Sequence, residues 1–175
     1  MKLPKSYEWL EKETGPKMLV ESLKLYGTAE IVGKQHNPLI LDWAADLGLK
    51  NVYTADEIPW CGLVMAYICK MAGKEPQADP LWALNWSKWG VPAKEPMLGD
   101  ILTFKRPGGG HVGLYVGEDP KAYHVLGGNQ GNAHSITRIA KERMFMARRP
   151  EYNVQPANVR KVLLSSSGGM SSNEA

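Results

Sequence analysis

Along the first half of the chain apolar residues recur at three- and four-residue intervals, and past Gly90 the interval shortens to two. Segment 16–26 carries Met18, Leu19, Leu23 and Tyr26 on one helical face and meets a stop at Gly27. Segment 38–47 repeats the pattern with Leu39, Leu41, Trp43 and Leu47, closed by Gly48. The run 61–72 is apolar nearly throughout and predicts a buried helix that begins directly after Pro59-Trp60. Asp79-Pro80 offers an N-cap and a first-turn proline for a further helix through Trp89, on which Trp82, Trp86 and Trp89 share one buried face. The second half breaks into short runs of strand character at 100–104, 111–116, 122–126, 135–139 and 144–148, parted by turn residues. Helices followed by a meander of strands predict an α+β domain in which the 61–72 helix packs on a C-terminal antiparallel sheet.

The expected organisation is one domain over 1–150, an extension over 151–164 with a short helix at 157–164, and a Ser/Gly-rich disordered tail over 165–175. With 175 residues and 43% apolar content, a single core is enough to hold the domain. The 21 basic and 18 acidic side chains are interspersed and leave a net charge of +3, so nucleic-acid binding is not supported. A mild positive balance suits an anionic polymer such as a cell wall. Tyr7-Glu8-Trp9-Leu10-Glu11-Lys12 interrupts any apolar run near the start, so no signal peptide is predicted. No run approaches the roughly 20 apolar residues that cross a bilayer, so no membrane insertion is expected. The chain is therefore read as made in the cytoplasm, with release depending on another agent.

Cys61 falls at the first turn of its helix, where unpaired N–H groups and the positive end of the helix dipole favour a thiolate. Cys69 lies eight residues on, about 12 Å away along a helix, which excludes a disulfide between them and leaves Cys69 as a packed core thiol. In the run His111-Val112-Gly113-Leu114-Tyr115-Val116-Gly117, Val112, Leu114 and Val116 share one face and His111, Gly113 and Tyr115 the other. Small residues around His111 leave room for a substrate or for the start of a helix. A Cys-His pair needs a third group to orient the imidazole, and Asn129, 18 residues after His111, sits where a hairpin returns the chain beside that strand. Asn129 is equally a turn residue within Gly127-Gly128-Asn129-Gln130-Gly131-Asn132. His36 and Asn37 before Pro38 read as a helix cap and its neighbour. His124 and His134 read as half-exposed and outside the site.

The order Trp60-Cys61, then Leu98-Gly99-Asp100-Ile101-Leu102-Thr103-Phe104, then Gly110-His111-Val112-Gly113-Leu114-Tyr115-Val116-Gly117, then Leu126-Gly127-Gly128-Asn129-Gln130 resembles the CHAP and NlpC-type cysteine peptidase superfamily. Within it, the chain is most similar to phage and prophage peptidoglycan hydrolases. The resemblance covers about residues 4–150 and includes His36-Asn37-Pro38 and Asp56-Glu57-Ile58-Pro59-Trp60-Cys61. It implies a papain-like fold that cleaves amide bonds of bacterial peptidoglycan, with Cys61 as nucleophile, His111 as general base and acid, and Asn129 as the orienting group. Trp60, Glu57 and Gln130 are the substrate-binding candidates. Many CHAP enzymes have Glu two residues before the Asn, where this chain has Gly127. It has no Asp-rich calcium loop and no Cys/His cluster of zinc spacing, so neither a metal nor a cofactor is expected.

The implied protein is a monomeric phage endolysin, an endopeptidase or N-acetylmuramoyl-L-alanine amidase. It would be let out by a holin to act on the wall, and no separate wall-binding module is visible after residue 150. The competing expectations are an antibacterial effector amidase of the same fold and a non-catalytic phage structural or binding protein.

Overall fold

The computed structural model describes residues 2–166, 168–172 and 174. Three α-helices, α1 (Lys17–Lys24), α2 (Pro38–Asp46) and α3 (Cys61–Met71), occupy the first half. Asn37 caps α2 by accepting from the Leu39 N–H, and Pro38 fills the first turn, where its missing N–H costs nothing. In α3 every residue except Tyr67, Lys70 and Met71 is buried, as an all-apolar segment requires.

The second half forms one seven-stranded sheet: β1 (Val91–Pro92), β2 (Ile101–Arg106), β3 (Gly109–Glu118), β4 (Ala122–Gly127), β5 (Ser135–Ala140), β6 (Met144–Arg149) and β7 (Met170–Ser171). Their order is β1-β6-β2-β3-β4-β5-β7, antiparallel except for the β5–β7 pair. The fold is thus α+β, with N-terminal helices packed on a mostly antiparallel C-terminal sheet. The alternation predicted for β3 holds: Val112 and Leu114 join the core built with α2 and α3, while Tyr115 joins Leu102, Phe104 and Val125 in a separate core. His111 lies beside Phe104, its cross-strand partner, with ring centroids 6.4 Å apart. Among the described residues no helix is long and apolar enough to cross a membrane.

Four expectations change. Segment 79–89 is no α-helix; only a 3-10 helix over Ala83–Lys88 forms. The carbonyls of Pro80 and Leu81 sit against Gly62, and Trp86 Nε1 donates to the Pro80 carbonyl, so tertiary contacts hold residues 80–82 out of helical geometry. Trp86 is fully buried and Trp89 rests against it at 5.8 Å between centroids, while Trp82 is 72% exposed, so the three tryptophans do not share one buried face. Segment 157–164 is extended rather than helical, because Val162 and Leu164 bond through their backbones to Glu118 at the end of β3.

The 165–175 segment, predicted disordered, contributes β7 in register with Arg138 and Ile139 of β5 and buries Glu174; Ser167, Asn173 and Ala175 lie outside the described residues. His124 and His134 are buried, not half-exposed. The His124 Nδ1 is 2.7 Å from the Tyr7 hydroxyl and its Nε2 is 2.9 Å from Asp119. The His134 Nε2 lies 3.1 Å from the Ser22 carbonyl.

Candidate active site

α3 begins at Cys61, and Trp60 at its N-cap supplies no side-chain cap. The N–H groups of Cys61 and Gly62 therefore remain for the Cys61 sulfur, which also receives the Val112 N–H of β3. Because Val112 directly follows His111, that contact brings the thiol to the backbone of the histidine's own strand. Close approach at two glycines makes this possible. A Cβ at Gly62 would overlap the Pro80 and Leu81 carbonyls, and one at Gly128 would stand 2.7 Å from the Trp60 ring and 2.6 Å from Val64 Cγ1. These contacts clamp the 80–84 segment and the turn after β4 onto the first turn of α3.

His111 is oriented by Gln130. Its Nε2 lies 3.0 Å from Gln130 Oε1, while the Gln130 amide nitrogen donates to the Val125 carbonyl at 3.1 Å and the Ser135 carbonyl at 2.6 Å. Both amide protons are thereby used on carbonyls, so Oε1 is the end that faces the imidazole. A carbonyl oxygen only accepts, so His111 Nε2 carries the proton and neutral His111 presents an unprotonated Nδ1. No hydrogen bond joins Cys61 to His111 among the described residues.

Burial sets the protonation of both groups. Cys61 is 3% exposed and His111 1% exposed. Burial pushes the Cys61 thiol up, against the opposing pull of the Val112 N–H, the Arg106 charge and the N–H groups at the helix start. Burial pushes His111 down to about 4, although Glu174 and the Gln130 hydrogen bond favour its charged form. In the enclosed state the pair is therefore neutral thiol and neutral imidazole, and the helix terminus does not outweigh desolvation.

The Cys61 sulfur meets the histidine's strand at the Val112 N–H, and of the two adjacent amides it is Gln130, not Asn129, whose side chain meets the imidazole. Asn129, the expected orienting residue, takes φ 58° at the turn and makes no hydrogen bond through its side chain among the described residues. Gln130, expected to bind substrate, holds the imidazole instead. A left-handed position in Gly127-Gly128-Asn129 was the available signal, since Asn tolerates it and the next residue then points back into the sheet. Trp60 does not line a cleft: it is fully buried, rests on Trp43 at 6.0 Å between centroids and donates from Nε1 to Glu30 at 2.6 Å. Glu57 is exposed and unpaired among the described residues.

Cys69 is a core thiol, pushed up to about 12 by burial, with its sulfur 3.4 Å from the Glu75 carbonyl. His36 and Asn37 serve structure: with Ile31 N–H they satisfy the buried Asp56 carboxylate. Two arginines absent from the sequence reading, Arg106 and Arg143, act electrostatically on His111. Among the described residues no three His, Cys, Asp or Glu side chains gather as a metal site.

Helices packed on a mostly antiparallel sheet thus carry a cysteine at a helix start and, on the strand whose next N–H meets its sulfur, a histidine oriented by an amide. No protein-family model matches the chain, and no curated protein is significantly similar to it.

Proposed function

We propose that this chain is a cysteine hydrolase of papain-like, CHAP or NlpC-type architecture that cleaves amide bonds of peptidoglycan stem peptides. The observation that carries the reading is the His111 imidazole fixed through Nε2 by Gln130, on the strand whose next N–H meets the Cys61 sulfur. When substrate gains access to the two buried groups, Nδ1 takes the thiol proton and the thiolate attacks the amide carbonyl. The N–H groups at the start of α3 are placed to receive the developing oxyanion. The imidazolium returns its proton to the leaving amine, giving a thioester, which a water deprotonated at Nδ1 then hydrolyses. The resemblance of the Trp60-Cys61, Gly110-His111 and Gly128-Asn129-Gln130 motifs to phage wall hydrolases supports peptidoglycan as substrate and a lysin let out by a holin as the role.

Enclosure of Cys61 and His111 is the observation that favours the second reading, a binding protein of this fold without turnover. Dye-labelled peptidoglycan separates the two. Release of soluble dye by the wild-type chain and none by Cys61→Ala supports the hydrolase, and equal release by both contradicts it.

A further inference from the structure

Residues 168–172 and Glu174 are held on the sheet by a series of specific contacts that brings the Glu174 carboxylate within electrostatic range of His111. Arg138 bonds Asp119 through Nε at 2.8 Å and donates from Nη1 to the Gly168 carbonyl. The next residues form β7 beside β5. Arg143, in the short turn between β5 and β6, donates to the Ser171 carbonyl at 3.2 Å and then forks onto Glu174. In that fork Nη1–Oε1 and Nη2–Oε2 are both 2.7 Å. Glu174 is 0% exposed, and its carboxylate lies within electrostatic range of His111. Burial raises the Glu174 carboxyl, but the Arg143 hydrogen bonds, joined by His111 when that imidazole is protonated, outweigh it and hold it below the ordinary glutamate range. Arg106, whose Nε donates to the Gly110 carbonyl at 3.2 Å, adds a second cation that acts on both Cys61 and His111.

A guanidinium that grips a carboxylate with two parallel bonds beside an imidazole is a shaped receptor for a planar anion. Emptying it would leave a partly buried charge without its partner, so exchange for another carboxylate is far less costly than loss. Stem peptides carry free carboxylates. We infer that Arg143 is a carboxylate-binding residue of the site, that it receives an acidic group of the peptide substrate, and that Glu174 holds that place here as a tethered competitor. The inference rests on the proposed hydrolase reading for the identity of the substrate, whereas the masking by Glu174 does not. A short tether gives the competitor an effective concentration in the millimolar range, which raises the KM for free substrate.

Alkylation of Cys61 by iodoacetamide, resolved by peptide mass spectrometry with buried Cys69 as internal control, reads the masking without a wall substrate. Glu174→Gln and Glu174→Lys in the full chain are each expected to speed Cys61 alkylation about tenfold or more, the scale of a lost tethered contact. Millimolar N-acetylglutamate is expected to slow it again in Glu174→Gln but not in Glu174→Gln/Arg143→Gln. On labelled peptidoglycan, Glu174→Gln is expected to lower KM with little change in kcat.

Unchanged alkylation in both Glu174 variants, with the circular dichroism of the wild type, overturns the masking. Protection by N-acetylglutamate that persists without Arg143 overturns the carboxylate site. Faster alkylation together with no release from any wall leaves the masking standing and removes the hydrolase reading; Cys61-dependent release with no gain in alkylation does the reverse.

Discussion

Gln130 spends its whole amide on three partners, and each bond removes one way for the imidazole to turn. Replacing it by Leu keeps the bulk and deletes all three, leaving Nε2 and two carbonyls unsatisfied in the interior. Gln130→Leu is expected to lower kcat on labelled peptidoglycan about 100-fold, the range of general acid–base contributions, and Asn129→Gly to stay within about twofold because glycine accepts the same left-handed backbone. The reverse ranking in the same assay would restore Asn129 as the orienting residue.

Cys61 and His111 were legible because a helix start and a two-residue alternation are local patterns. The choice between two adjacent amides was not, since it turns on one backbone angle. Trp60 misled for a related reason: its neighbour faces the site while its own ring, one position earlier, turns inward onto Trp43.

Among elements, α3 is the part on which the others are assembled, and its second residue sets how closely. Gly62 admits the carbonyls of the 80–84 segment, whose Leu84 in turn fills the space beside Gly110, next to His111. Gly62→Ala is expected to cost about 1–3 kcal/mol as overpacking against rigid backbone, read as a lower urea midpoint with unchanged slope; an unchanged midpoint would show that the segment yields freely. The five strands and the first three helices were readable because each follows its own period and ends at its own turn residues. Segments 79–89, 157–164 and 168–172 were not, because their geometry comes from distant backbone partners: Gly62, Glu118 and Arg138 respectively.

At the scale of the whole molecule, burial of titratable groups ties stability to pH. His111 and His134 are both pushed down to about 4 by burial. Above pH 6.5 neither the folded nor the unfolded chain protonates them. Between about 6.5 and 4 the unfolded chain takes up protons that the folded chain refuses, so stability falls as pH falls. At about 1.4 kcal/mol per pKa unit, the two together contribute several kcal/mol. Asp119, held below the ordinary carboxylate range chiefly by its Arg138 hydrogen bond, adds a further loss only at more acid pH. Calorimetric Tm is therefore expected to drop steadily from pH 7 to pH 4, and a flat Tm over that window would mean that the histidines are solvated.

The room expected around His111 is filled by neighbouring side chains, Leu84 standing against Gly110 and Val125 against Gly113. Mass spectrometry of purified peptidoglycan, digested by the wild-type chain beside Cys61→Ala, tests the central claim most directly. The account predicts new fragments that depend on Cys61, freed stem peptides marking an amidase and cuts within stems or cross-bridges an endopeptidase. Identical fragment patterns from the two proteins across several wall types would contradict it.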